Sequence, residues 1–522
     1  MYENNIIKYN DYIQAIDEQV PDRKTEWPTR AAHLARDLHL SISESNKIRT
    51  TIDSKIQEMA EAYLKRYVDF LKVKGITNGA VVIIDNKNNH LLSMVGSADF
   101  FSKENQGQVN GAKAARSPGS ALKPFLYALA IDNGLISPAS KLEDVPINYS
   151  GYEPENYDRT YHGLVSARKA LEQSLNIPAV NLSNRMAKGH DFYDFLKGVG
   201  LSTIRDDNDY GLSLVLGGCE VTLYELTELY ASFANRGRFR KTKVLLDQEI
   251  DIEKHLFNSG TSFIISEILS EIRRPDLPRV WKFTDLPKIA WKTGTSYGHK
   301  DAWSIGYNKD FTIGVWIGNF NAASSPYLIG SYAAAPLLFD LFTELNRSRD
   351  IDWFMKPYLV QKREVCSVSG QLPTENCSSL IEEYYLEDIA PTNKCEFHKS
   401  IFIDNKTGKR VPPGARYNSN VSEKIYIDWP SRVATWRIEN NYPVYTVPEL
   451  DVDYNIQLAG KGPIINSPSS GVSYYIRGGI PIDHQKISLS ASVSSDVREI
   501  YWFVDGVFLG SVEPGKKLFY YP

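Results

Sequence analysis

No stretch of about 18 consecutive apolar residues occurs in the chain, and its polar N-terminus lacks the pattern of a signal peptide. A membrane-spanning helix among these residues is excluded, and the sequence reads as a soluble chain or as the ectodomain of an anchored protein. Charge of one sign is also missing. Lys plus Arg number 59 and Asp plus Glu 63, for a net charge of -4, which argues against a broad nucleic-acid-binding surface. Cysteine is scarce, at 4 residues. Cys219 stands alone and reads as a buried free thiol, while Cys366, Cys377 and Cys395 cluster. Nor is the chain short: 522 residues exceed one ordinary core, so roughly two to four domains are expected.

What is present is organised around Arg116-Ser-Pro-Gly-Ser-Ala-Leu-Lys-Pro-Phe125. Pro118 and Gly119 break the preceding segment, and an apolar helical run follows over residues 121–131. Ser120 is thus expected where a loop becomes a helix, with Lys123 one turn on and on the same face. A serine becomes a nucleophile when a base takes its proton. A lysine serves if burial or a neighbouring cation lowers its pKa from about 10.4. The helix N-terminus adds free N–H groups suited to an oxyanion. Ser-x-x-Lys alone is a weak signal, since Ser166-Ala-Arg-Lys169 repeats it. There Ser166 reads as the N-cap of a helix over residues 167–173.

Along the chain, residues 22–40 are expected to include a helix at 30–38, and Ser54–Leu71 is an amphipathic packing helix. Residues 80–85 and 91–95 pair across a turn as strands of an antiparallel sheet. Ser174-Leu-Asn176 precedes Ile177-Pro178, where the proline is expected to stop or bend a helix and leave both polar side chains at its edge. Residues 212–218 read as a short apolar segment, and 221–235 as a helix ended by Gly237. Lys292-Thr-Gly-Thr295 follows Ile289-Ala-Trp291 on a strand, with Asp301–Tyr307 and Phe311–Gly318 as the next two. Gly294 is expected to let a ligand approach the backbone, while Lys292 and the hydroxyls of Thr293 and Thr295 face a bound carboxylate. A second Lys-Thr-Gly, at 406–408, reads as a water-exposed hairpin turn.

Ser120-x-x-Lys123, Ser174-x-Asn176 and Lys292-Thr-Gly294 occur in this order, at a helix start, a helix end and a strand edge. The triplet resembles the signature of penicillin-binding proteins and class A β-lactamases, with leucine in place of the middle aspartate. Further stretches extend the likeness. Thr50-Thr-Ile-Asp53 with Gln57, the segment 116–125, Gln173-Ser-Leu-Asn-Ile-Pro-Ala179 and Phe233-Ala-Asn-Arg-Gly237 all resemble class A penicillin-binding proteins. So does Lys292-Thr-Gly-Thr-Ser-Tyr-Gly298 with Asp301-Ala-Trp303, and together they cover residues 48 to 320. Ile464-Ile-Asn-Ser-Pro468 and Tyr501-Trp-Phe-Val-Asp-Gly506 resemble the small C-terminal β domain of the 1C branch.

The resemblance implies an α+β fold, an antiparallel sheet flanked by helices, with a C-terminal β-sandwich-like domain. Its expected divisions are a linker or pedestal at 1–75, a transpeptidase domain at 76–350, a Cys-containing extension at 351–445 and an Ig-like domain, cut short, at 446–522. It implies a peptidoglycan D,D-transpeptidase that needs no cofactor. Ser120 would attack a D-Ala-D-Ala carbonyl with Lys123 as base, and the N–H groups of Ser120 and Thr295 would form the oxyanion hole. Ser174 would relay a proton to the leaving D-alanine, and Asn176 would hold the substrate amide and Lys123. Lys292, Thr293 and Thr295, beside Gly294, would bind the terminal carboxylate, and the two lysines would depress each other's pKa. The implied partners are stem peptides and β-lactams, without nucleic acid. Family members carry a membrane anchor and a glycosyltransferase domain ahead of the transpeptidase, so a periplasmic fragment natively anchored to the inner membrane is expected. A D,D-carboxypeptidase or β-lactam hydrolase, and a non-catalytic β-lactam-binding scaffold, are the alternatives. Cys366, Cys377, Cys395 and His398 stay open between a zinc site, which the Cys395-x-x-His398 spacing suits, and one disulfide with a spare thiol. Residues 476–510 alternate as strands, with Asp505-Gly506 as a hairpin turn.

Overall fold

The computed structural model describes residues 8–9, 12–13, 30–41, 47–149, 151–186, 191–205, 210–249, 252–275, 286–347, 352–451, 462–477, 485–494 and 497–521. Strands β1 (Asn78–Asp85), β2 (His90–Val95), β3 (Ala290–Thr295), β4 (Asp301–Tyr307) and β5 (Phe311–Gly318) form one sheet of order β2-β1-β5-β4-β3. Every neighbouring pair is antiparallel. The sheet thus carries the Lys-Thr-Gly strand β3 at one edge, beside the long excursion that holds the other two motifs.

Helices cover both faces. In chain order those that build the layers are α1 (Ser54–Leu71), α2 (Lys123–Asp132), α3 (Ala167–Glu172), α4 (Asn176–Asn184), α5 (Leu223–Ala234), α6 (Ser259–Ser270) and α7 (Ala335–Asn346). Alternate strand residues point to opposite faces, which sorts the core in two. Ala80, Val82 and Ile84 pack with Phe125, Leu226 and Ile265 on one side. Val81 and Ile83 pack with Leu64, Leu338 and Phe342 on the other. The Asp53 carboxylate caps α1, accepting from the Lys55 and Ile56 amides, and Ala60, Leu64, Val68 and Leu71 form its buried stripe.

Several expected boundaries move. The first described helix is Ala32–Ser41, and the expected residues 22–29 lie outside the described ones. The short apolar segment read at 212–218 is a 3-10 helix from Gly211 to Leu216. Pro178 stops nothing: α3 ends at Glu172 and α4 opens at Asn176, so the proline sits in the first turn, where its missing N–H costs no bond. Ser166 caps α3 by accepting from the Lys169 amide at 3.2 Å, which accounts for the rival Ser-x-x-Lys. Lys406 and Gly408 lie in an exposed turn held by the Asp404 carboxylate.

Beyond the main layers, β6 (Val360–Cys366) pairs with β7 (Leu380–Leu386), and β8 (His398–Asp404) lies between β9 (Arg410–Val411) and β10 (Val421–Ile427). The helix α8 (Ser431–Glu439) has no counterpart in the sequence reading. It earns its place through Trp436, whose ring fills the space over Gly163, where a Cβ would come within 2.7 Å. At the C-terminus β11 (Ile464–Ser467), β12 (Ile487–Ser492) and β15 (Leu518–Tyr520) form one sheet, and β13 (Ile500–Val504) with β14 (Val507–Val512) another. They enclose a small core around Leu489, Ile500 and Trp502. Asp505 and Gly506 both take positive φ, as a tight β13–β14 hairpin requires. Of the expected strands over 476–510, residues 478–484 and 495–496 lie outside the described ones. Among the described residues no helix is long and apolar enough to cross a membrane.

Candidate active site

Ser120 sits in a 3-10 turn, Gly119–Leu122, that feeds directly into α2. Lys123 is therefore the first residue of the α-helix, not one turn inside it, because Pro124 suits only a helix start. The tighter winding of about 3 residues per turn eclipses positions i and i+3, so Ser120 and Lys123 share one side. This turn is pressed against β3. Gly119 has φ +54, and a Cβ on it would lie 2.3 Å from the Thr295 carbonyl oxygen. A Cβ on Gly294 would lie 2.0 Å from the Pro118 oxygen. The close approach that demands glycine at 294 is thus made by the chain's own serine turn, and the expectation of a ligand at that point is corrected. Three bonds fix the turn further: Trp303 Nε1 donates to the Ser117 oxygen at 2.8 Å, Ser117 Oγ to the Gly217 oxygen at 2.7 Å, and Tyr230 OH to the Ala121 oxygen at 2.5 Å.

A first prediction arises here. Gly294→Ala must push the turn and the strand apart, since the clash is with backbone that cannot rotate away. Displacement of about 1 Å in a reacting group costs on the order of 100-fold. The variant should keep its far-ultraviolet circular dichroism and lose β-lactam acylation by about that factor. Acylation within a few-fold of the parent would show that the turn does not depend on this contact.

The two lysines lie side by side in the protein interior. Lys123 Nζ donates to Asn176 Oδ1 at 2.6 Å, to the Ser174 carbonyl at 2.7 Å and to the Leu175 carbonyl at 3.0 Å. Lys292 Nζ donates to Ser174 Oγ at 2.8 Å and to the Thr293 carbonyl at 3.0 Å. Ser174 therefore bridges them, its carbonyl toward one and its hydroxyl toward the other. It does so from φ 58, a costly conformation for a residue with a Cβ. Burial drives the Lys123 pKa well below the ordinary lysine value, the Lys292 charge lowers it further, and Asp144 opposes both. Burial alone brings Lys292 down to about 7. Of the two causes expected from the sequence, burial is the larger, and repulsion between the lysines acts second and on Lys123. Ser120, Ser174, Asn176, Thr293 and Thr295 are only half-buried, so the hydroxyls and the amide meet solvent in front of the two closed-in lysines.

Behind Asn176 stands a support that spacing did not reveal. Asn176 Nδ2 donates to the Glu155 carbonyl at 2.7 Å, and its backbone amide donates to Asn156 Oδ1 at 2.8 Å. Asn156 Nδ2 donates in turn to Asp144 Oδ1 at 2.7 Å, and Asp144 Oδ2 meets His162 Nδ1 at 2.7 Å. Asp144 is completely buried. Asp144, Asn156 and His162 belong to no motif in the sequence, so nothing there signalled this role. Thr295 Oγ1 accepts the Gly330 amide at 3.0 Å, which leaves its own O–H to donate outward. The cysteines lie elsewhere: Cys366, Cys377 and Cys395 surround His398 Nδ1, and Cys219 is buried alone.

A serine turn and a Lys-Thr-Gly strand locked together, backed by two buried lysines on an antiparallel sheet between helical layers, bring the three expected motifs into one site. Comparison with known proteins agrees. Residues 79–334 match the penicillin binding protein transpeptidase domain, residues 356–400 the penicillin-binding protein 1A C-terminal domain, and residues 456–522 the Penicillin-Binding Protein C-terminus Family. The chain belongs to the penicillin-binding proteins and carries their transpeptidase domain. In particular it is similar to penicillin-binding protein 1C of Escherichia coli (strain K12), 34% identical over 419 residues that make up 76% of this chain and 52% of that protein. Penicillin-binding protein 1F of Bacillus subtilis (strain 168) is 29% identical over 337 residues, 61% of this chain and 45% of its own length. The chain thus spans about half the length of the curated relatives it matches. Penicillin-binding protein 1A from Haemophilus influenzae shares the fold, with TM-score 0.59 at 18% identity over 75% of this chain and 81% of that one. So does PonA1 from Mycobacterium tuberculosis, solved in complex with penicillin V, with TM-score 0.52 at 19% identity over 62% and 94%.

Proposed function

We propose that the chain is a D,D-transpeptidase that cross-links peptidoglycan stem peptides in the periplasm through an acyl-enzyme on Ser120. The observation that carries this reading is the pair of buried lysines bridged by Ser174 behind the Ser120 turn. Neutral Lys123 takes the Ser120 proton as Oγ bonds to the penultimate D-alanine carbonyl carbon. The amides of Ser120 and Thr295 hold the resulting oxyanion, a reading supported by the contact between the Thr295 backbone and Gly119. The peptide bond breaks, the proton reaches the departing D-alanine by way of Ser174, and an acceptor amine then displaces Ser120 to form the cross-link. Asn176 holds the substrate amide and fixes Lys123. The terminal carboxylate is received by Lys292 with the Thr293 hydroxyl and the outward O–H of Thr295. A β-lactam offers the same carbonyl and carboxylate, and the mycobacterial PonA1 that shares the fold was solved in complex with penicillin V.

Labelling with a fluorescent penicillin, followed by mass mapping, tests the assignment. A stable adduct on the Ser120 peptide is expected, absent from Ser120→Ala. Labelling that survives the substitution, or a folded protein that takes no label, would overturn it. Cross-linked product with an added amino acceptor then separates a transpeptidase from a hydrolase or a scaffold.

A further inference from the structure

The extension at 352–411 has little apolar core of its own. Val360 and Leu386, at one end of the β6–β7 hairpin, join the main core, and Ile401 and Ile403 share a small cluster with Val447. A two-stranded hairpin is marginal in water unless something else ties it down. At its other end, Cys366, Cys377, Cys395 and His398 bring four ligand atoms within 4.8 Å of one another. His398 Nδ1 lies 3.4 Å from Cys366 Sγ, 3.6 Å from Cys377 Sγ and 3.4 Å from Cys395 Sγ.

We propose that these four residues bind one Zn2+ ion as a tetrahedral structural site that ties the β6–β7 hairpin to the start of β8. Zn–S bonds of about 2.3 Å and a Zn–N bond of about 2.0 Å at tetrahedral angles separate ligand atoms by roughly 3.5–3.8 Å, the spacing the imidazole keeps from all three sulfurs. A disulfide would draw two sulfurs to about 2.05 Å and leave the third thiol and the imidazole without a task. The surrounding backbone suits thiolates. The Thr374 amide donates to Cys377 Sγ at 3.4 Å, and the Val368 and Ser369 amides are directed at the Cys366 sulfur. Binding releases the three thiol protons to solvent and leaves three thiolates and a neutral imidazole on the ion.

The site also bears on the catalytic domain. The Cys366–Gly370 turn closes with the Gly370 amide on the Cys366 carbonyl at 2.8 Å. Gly370, at φ +70, abuts Ala139 so closely that a Cβ would fall 2.1 Å from its oxygen. Ala139 leads into the strand Lys141–Asp144, whose last residue anchors Asn156. The zinc knuckle is a buttress for that strand.

The test is metal analysis of the whole chain purified without chelator. About one zinc per chain is expected, persisting in Cys219→Ser and falling at least fivefold in Cys395→Ser. Cobalt exchanged into the wild-type protein should show tetrahedral thiolate bands, a readout that needs no variant to fold. Zinc at parental stoichiometry in Cys395→Ser would overturn the proposal. So would a folded, zinc-free wild type with a mapped disulfide among Cys366, Cys377 and Cys395. Neither readout depends on β-lactam acylation, so the site stands or falls apart from the function proposed for Ser120.

Discussion

Replacing Lys123 by methionine is expected to slow acylation by a β-lactam by about 1,000- to 10,000-fold without unfolding the protein. Methionine fills much of the same volume but cannot accept the Ser120 proton. Its effect on stability is the sum of opposing contributions. The substitution removes an amine held where the interior disfavours its charged form, and it strands the Ser174 and Leu175 carbonyls and Asn176 Oδ1. Stopped-flow acylation alongside denaturant unfolding resolves the two effects. A rate within tenfold of the parent, in a variant of unchanged fold, would remove Lys123 from the role of base. The acid limb of the wild-type rate should lie well below the ordinary lysine range, because burial and the Lys292 charge both favour the neutral amine.

The second large effect is a gain of stability where function is lost. Lys292 has its pKa brought to about 7 by burial. A lysine displaced that far from its ordinary value is disfavoured in its charged form by on the order of 5 kcal/mol. Between about pH 7 and pH 10.5 the unfolded chain binds this proton and the folded chain does not, so the penalty is complete at and below neutrality and fades as pH rises. Lys292→Met should therefore raise unfolding free energy near neutral pH, by about 1–3 kcal/mol after the lost bonds to Ser174 Oγ and the Thr293 carbonyl are counted. The gain should shrink toward pH 10, and acylation should fall by about 100-fold or more as the carboxylate loses its cation. Denaturant titrations of both proteins at pH 6.5 and 9.5 measure this, because titrating groups that do not feel the Lys292 charge cancel in the difference, and Lys123, which does, is followed in the Lys123→Met background. A stability difference independent of pH would mean that Lys292 is not held near its neutral form. The balance describes a site that keeps two lysines where burial disfavours their charge, a cost to stability expected where function requires it.

The side chains that the fold gathers at the candidate site were legible in the sequence because their signals are local. Ser120 and Lys123 need only the i, i+3 spacing after Pro118-Gly119, Lys292 to Thr295 only a strand after an apolar triplet, and Ser166 only a place before a helix. Period and punctuation likewise gave α1, β4 and β5 their extent. What only the tertiary structure decided is everything that depends on contact between distant segments. Pro178 reads locally as a helix stop, yet it sits in the first turn of α4, because the break falls at Ser174, which takes a positive φ and receives hydrogen bonds from two lysines elsewhere in the chain. Gly294 reads as room for a ligand, yet that room is taken by Pro118 from the serine turn. Asn156, Asp144 and His162 carry no motif, since their role is created by folding a loop behind Asn176. The three cysteines and His398 are far enough apart in sequence to allow either a disulfide or a metal, and only their convergence on one imidazole nitrogen favours the metal. A residue's type and its near neighbours determine what it can do chemically; burial and long-range packing determine its protonation, its partners and therefore whether it does so.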